Sequence, residues 1–197
     1  MSVKMKRAVW WESQLERDYC YILEHDRDVI SYRSQPITIS YSFEDTVLEH
    51  TPDFEIIRRS LDLPQYAEIK PDEKAIKDEF ILRHRARSAY FYERGHEYIL
   101  RTGSQLREGH RLKNIKLLYR YAQTTLDPAL LDRLRHSIPA QSMLSLDELI
   151  TKCSSLGNDR SICYGLMYHG EIAFDLDQPI QPDMRVTTAW SVPETLL

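Results

Sequence analysis

Three cysteines, Cys20, Cys153 and Cys163, are too few and too scattered for a disulfide framework, and no C-x-x-C pair offers a structural zinc site. Buried or idle thiols in a reducing compartment are the expectation. Glycine is scarce as well, with 6 residues against 9 prolines, which excludes collagen and flexible-linker compositions and leaves no glycine-rich loop to cradle a phosphate. Long apolar runs are missing: the stretch Ser161–Gly170 stops far short of the roughly 20 residues that a membrane-spanning helix needs. The opening Met-Ser-Val-Lys-Met-Lys-Arg leads into no apolar segment, so no signal peptide and no membrane partner are expected, and a cytoplasmic location is. None of the histidines shows HxH or HxxxH spacing, and Ser13 and Ser34 lack a G-x-S-x-G elbow. What remains, 42% hydrophobic and 28% charged residues, suits one generous domain or two small ones.

Charge is uneven along the chain. Residues 1–124 hold 21 of the 26 Lys and Arg and 20 of the 30 Asp and Glu, a net of +1, and the rest carries 5 − 10 = −5. Bases cluster at Lys74, Lys77, Arg83, Arg85, Arg87 and Arg94, then at Arg107, Arg111, Lys113, Lys116 and Arg120. At helical spacing they would make a face able to track a phosphate backbone, though from charge alone a solvated surface is the favoured reading.

Periodicity orders the elements. Leu15, Tyr19, Ile22 and Leu23 recur at helical spacing, and Ser13-x-x-Glu16 reads as a capping box at that helix's start. From Val29 the pattern turns to period two, predicting strands around Ile37–Tyr41 with Ile37 and Ile39 inward, a turn at Phe43-Glu44-Asp45, one strand over Val47–Ile57 that contains Pro52, and a strand over Tyr66–Lys70. A long helix over Pro71–Arg94 with Gly95 as its stop, a strand over Glu97–Arg101 and an amphipathic helix over Ser104–Gln123 follow. Trp10 and Trp11, flanking the first helix, are expected to pack under the sheet. The order predicts an α/β fold, a mixed sheet flanked by helices over residues 1–124. A break at Thr124–Pro128 precedes helices over Pro128–Ile138 and Ser145–Cys153, the second with a Ser145–Glu148 capping box, then a segment over Ile162–Phe174 with a candidate turn at His169-Gly170 into Glu171–Leu176, and finally Arg185–Ala189. Helices followed by a hairpin suggest a small winged-helix-like module over residues 125–197.

Glu16, Asp53, Glu68 and Lys70 are the chemically interesting residues. Strand alternation points Glu68 and Lys70 to one side and Ile69 to the other. If Asp53 faces the same side, two carboxylates and the Ile69 backbone carbonyl offer hard oxygen ligands to Mg²⁺ or Mn²⁺, with Glu16 as a further ligand and Lys70 orienting a water. Phosphodiester hydrolysis needs those parts, and Asp followed by Glu-x-Lys is the PD-(D/E)xK nuclease signature. A turn at Pro52-Asp53 and a solvated strand face at Glu68–Lys70 is the alternative. His50 reads as a packing or surface residue, and Gln35-Pro36 as a device that starts a strand.

Four motifs in order, Glu12-Ser-Gln-Leu-Glu-Arg-Asp18, Val29-Ile-Ser-Tyr-Arg-Ser-Gln-Pro36, His50-Thr-Pro-Asp-Phe54 and Glu68-Ile-Lys-Pro71, resemble the TnsA-type endonuclease subunit of heteromeric transposases over about residues 7–120. The resemblance implies a restriction-endonuclease-like fold and a metal-dependent DNA endonuclease that cuts the 5′ ends, the non-transferred strands, of a transposon. It places Glu16, Asp53, Glu68 and Lys70 at the family's catalytic positions. Its implied partners are double-stranded DNA at the transposon ends, a TnsB-like DDE transposase and, through the C-terminal module, a TnsC-like AAA+ regulator. A resolvase-like or restriction-like nuclease and a silent scaffold bridging transposase and regulator are the competing readings.

Overall fold

The computed structural model describes residues 1–190; residues 191–197, the end of the expected C-terminal module, lie outside the described residues. The chain divides into two compact units, Met1–Glu108 and Gly109–Leu197. The break after Thr124 thus falls within the second unit.

The first unit opens with α1 (Gln14–His25), capped by the Ser13 side chain, which accepts from the Glu16 amide. Strands β1 (Val29–Ser34), β2 (Ile39–Phe43), β3 (Thr46–His50), β4 (Phe54–Arg58) and β5 (Gln65–Lys70) follow, then α2 (Asp72–Ala75), α3 (Asp78–Tyr92), β6 (Tyr98–Thr102) and α4 (Gly103–Arg107). The sheet runs β1-β4-β5-β6; β4 pairs antiparallel with β1 and β5, and β5 pairs parallel with β6 across the α2–α3 crossover. Strands β2 and β3 form a separate hairpin turned at Glu44-Asp45.

Burial explains the layering. Five successive residues of β5, from Gln65 to Ile69, are buried, as a central strand covered on both faces requires. One core joins Leu15, Tyr19 and Leu23 of α1 to Phe54, Ile56, Ala67 and Ile69, and another joins Ile39, Tyr41 and Tyr66 to Phe91 of α3, with Tyr66 and Phe91 stacked at 4.5 Å. Phe54 is fully buried, so Phe54→Ala would cost about 3–5 kcal/mol.

Several expectations change. The strand over 47–57 is split at Thr51–Asp53, where Pro52 cannot donate to a ladder. The helix over 71–94 breaks between α2 and α3, and the helix over 104–123 becomes α4 and α5 (Arg111–Tyr119), parted at Gly109 with φ 57°. Ile37 is exposed while Ile39 is buried. Gln35 adopts φ 46°, so the chain swings before β2 and the alternation does not carry back from Ile39 to Ile37. Trp10 and Trp11 are exposed rather than under the sheet, Trp11 lying beside the Arg17 guanidinium.

The second unit comprises α5, α6 (Pro128–Ser137), β7 (Met143–Ser145), α7 (Leu146–Ser155), α8 (Ser161–His169), β8 (Ile172–Phe174) and β9 (Arg185–Thr188). Strand β9 lies between β7 and β8, antiparallel to both. The Ser145–Glu148 capping box is formed, and α8 ends at Gly170 in the left-handed region, φ 73°. Leu118, Leu134, Leu149, Leu166 and Val186 join one apolar core, which holds α5 in this unit. All three cysteines are buried and free of disulfides. Among the described residues no helix is long and apolar enough to cross a membrane.

Candidate active site

The site lies where β4 stops pairing with β5. The last register pair is Phe54 with Ala67; beyond it the chain turns away at Pro52, and the Asp53 carboxylate replaces the missing strand by accepting from the Ile69 amide at 2.6 Å. One residue earlier on β5, Glu68 is completely buried. Its Oε1 is 2.6 Å from Lys70 Nζ, placing Glu68 and Lys70 on one side of the strand, while Ile69 is buried in the α1 core. The expected alternation holds, though Glu68 is enclosed rather than on a solvated face.

Three residues not assigned to the site enclose Glu68. His50 Nε2 lies 2.8 Å from Oε2, and the Tyr98 hydroxyl donates to the same oxygen at 2.7 Å and lies 2.9 Å from His50 Nε2. Arg87 Nη1 approaches Oε1 at 3.5 Å. His50 therefore faces the acid instead of serving as packing or surface. Arg87 leaves the expected basic helix face: it is 6% exposed and packs against the Phe80 and Tyr41 rings. These neighbours come together from β3, α3 and β6, so no local spacing marks them. The one usable signal is the parallel register, which sets Tyr98 opposite Tyr66 and hence on the Glu68 side of the sheet.

Electrostatics separate the two acids. Burial pushes the Asp53 carboxyl up to about 6, helped by the Glu68 charge and, more weakly, by Glu16, against the Ile69 hydrogen bond and Lys70. Burial pushes Glu68 up too, but the His50 hydrogen bond and charge, with Lys70, outweigh it and bring the group down to about 2. Burial lowers the Lys70 ammonium, and the Glu68 charge and hydrogen bond more than restore it, leaving its pKa raised. The result is one ionised acid, a protonated lysine, and a second acid poised near neutrality.

Glu16 is placed differently. Its carboxylate accepts from the Ser13 hydroxyl at 2.8 Å and from the Glu12 amide at 2.8 Å, so it reaches one residue past the expected partner in a variant of the capping box. It lines, with Lys70, Asp72 and Arg107, a cleft of about 780 Å³. Among the described residues no three His, Cys, Asp or Glu are grouped as a ready metal site. Hard oxygen donors for a divalent cation are still present around β5: Glu68, whose Oε1 pairs with the Lys70 ammonium at 2.6 Å, the Asp53 carboxylate and the Ile69 carbonyl. Mg²⁺ ordinarily takes only one or two protein carboxylates, with water and substrate phosphates completing its shell.

Gln35 contributes through its backbone, its amide donating to the Asp53 carbonyl at 3.0 Å. Residues 26–103, which span β1 through the start of α4 and include Asp53, Glu68 and Lys70 but not Glu16, match the family described as TnsA-like endonuclease N terminal. No curated protein matches the chain.

Proposed function

We propose, from the TnsA-like endonuclease N-terminal domain in residues 26–103, that this chain is the cation-dependent DNA endonuclease subunit of a Tn7-like transposase, hydrolysing the 5′ (non-transferred) strands at transposon ends. The observation carrying this reading is the junction at β5, where Asp53 grips the Ile69 amide while Glu68 and Lys70 pair at 2.6 Å.

Asp53, Glu68 and the Ile69 carbonyl would hold Mg²⁺ or Mn²⁺, with Glu16 assisting from the edge of the adjoining cleft. Bound there, the cation would neutralise charge building on the phosphorane-like transition state. Lys70, held protonated by Glu68, orients the attacking water and sets a positive charge beside the phosphate. His50 and Tyr98 keep Glu68 ionised and fix its orientation. Asp53, with its carboxyl near 6, gives up its proton around neutrality and completes the acidic pair.

Phosphate contacts place a duplex without reading its sequence, so choice of transposon end falls to a TnsB-like DDE transposase. Within the second unit, the helices α6 to α8 that follow α5, with β9 paired between β7 and β8, support a winged-helix-like module for contacting a TnsC-like AAA+ regulator. A strand-resolved cleavage assay with purified partner proteins tests the reading. Wild type should nick the 5′ strand, and Asp53→Ala should abolish nicking with assembly intact; unchanged excision by Asp53→Ala would favour a silent scaffold, and unaided cutting by a dimer a restriction-like or resolvase-like nuclease.

A further inference from the structure

Beside Lys70 lies a second, smaller cavity of about 240 Å³, whose walls hold Lys70, Lys74, Lys77, Arg83 and Arg87 against one carboxylate, Glu79. It is smaller than the usual ~300–1,000 Å³ of drug-sized ligand pockets, which restricts it to a compact group. Its charge is built by the fold. Glu79, Arg83 and Arg87 recur every four residues on α3, and the break between α2 and α3 brings Lys74 and Lys77 to the same place. Glu79 pairs with Arg83 at 2.8 Å but is largely exposed, so it offsets little of the positive charge.

A second observation points to a ligand. Arg87 is more than nine-tenths buried, and its Nε has no hydrogen-bond partner; Arg83 Nε is buried and equally unpartnered. A guanidinium N–H removed from water wants an acceptor, and a phosphate oxygen supplies a charge-assisted one. The first turn of α3 adds to this, since Lys77 at its N-cap position provides no side-chain cap.

We propose that this cavity is a phosphate pocket in which Lys74, Lys77, Arg83 and Arg87 hold a backbone phosphate next to the one attacked, so that the scissile phosphate is delivered to Lys70 in fixed register. The assignment rests on the nuclease reading for taking that phosphate as part of DNA. Lys77 and Arg83 are positioning residues, acting through the duplex they hold.

The test uses the full chain and fluorescence anisotropy of a short labelled duplex without divalent cations, with isothermal titration of inorganic phosphate as a parallel arm. The double variant Lys77→Ala/Arg83→Ala should weaken duplex binding about tenfold or more and make the log–log salt dependence shallower by about 1, as expected for one lost phosphate. Lys77→Arg/Arg83→Lys should retain binding, and Arg94→Ala, whose guanidinium lies 3.6 Å over the Tyr90 ring, should leave it unchanged. Loss of phosphate binding with duplex binding intact would assign the pocket to free phosphate and overturn the DNA role. A folded double variant matching wild type in both arms would overturn the pocket altogether. If the double variant loses duplex binding but wild type never nicks with its partners, the nuclease reading fails while the pocket stands; wild-type nicking with an unaffected double variant means the reverse.

Discussion

Two buried glutamates in the first unit serve different ends. Glu24 on α1 is tied by neutral donors: the Ser2 hydroxyl, the Tyr32 hydroxyl at 2.7 Å, and the Val3 and Lys4 amides at 3.1 and 3.0 Å. Both of its oxygens are satisfied, and the result is a staple between the N-terminal segment, α1 and β1. Glu68 is more deeply buried and faces three basic side chains, with Oε1 held by the Lys70 ammonium at 2.6 Å. A staple saturates its acceptors with neutral donors, since an unmet buried one is costly; Glu68 instead keeps its charge by pairing with cationic groups.

Substitutions should separate the two along different axes. The largest effect is expected at the Glu68 end: Asp53→Ala should lower strand cleavage by about 10³-fold or more, the equivalent of several kcal/mol of lost charge stabilisation, in single-turnover assays. Lys70→Ala should cost about 10²-fold or more in the same assay if the ammonium orients the water. Tyr98→Phe, which removes one donor to Glu68 Oε2, should cost about 10–100-fold with little change in duplex affinity. Glu24→Gln should do the opposite, destabilising the fold by about 1–3 kcal/mol in chemical denaturation while cleavage per folded molecule stays at wild type.

The smallest effect is a pH dependence with opposite signs at the two site acids. Glu68, lowered from 4.5 to about 2, contributes stability that is present above pH 4.5 and lost as pH falls toward 2. Asp53, raised from 3.8 to about 6, contributes stability that is present below pH 3.8 and lost as pH rises through 6. Denaturation of wild type, Glu68→Gln and Asp53→Asn across that span should show the acid-side loss disappear in the first variant and the rise-side loss disappear in the second.

Local signals made part of this legible in the sequence. Ser13 and Ser145 mark real helix starts, His169-Gly170 a real turn, and Glu44-Asp45 a real hairpin, because caps and turns are decided by residues within a few positions. Glu68 and Lys70 came together for the same reason, through strand alternation. What was not legible depends on distant chain. Arg87 looks like one more base on a basic helix, and only the packing of α3 turns it inward to Glu68, 19 positions away. His50 sits across the Pro52 break from Asp53, so its spacing carries no periodic meaning, and its role follows from where the β2–β3 hairpin lies. The Gly109 break was hidden by apolar periodicity that continues through both α4 and α5.

The direct test of the central claim is Mn²⁺ binding followed by electron paramagnetic resonance on wild type, Asp53→Asn and Glu24→Gln, each with duplex bound. The account predicts a protein-bound Mn²⁺ signal in wild type and Glu24→Gln that disappears in Asp53→Asn. Equal binding by all three folded proteins, or none in wild type, would contradict it.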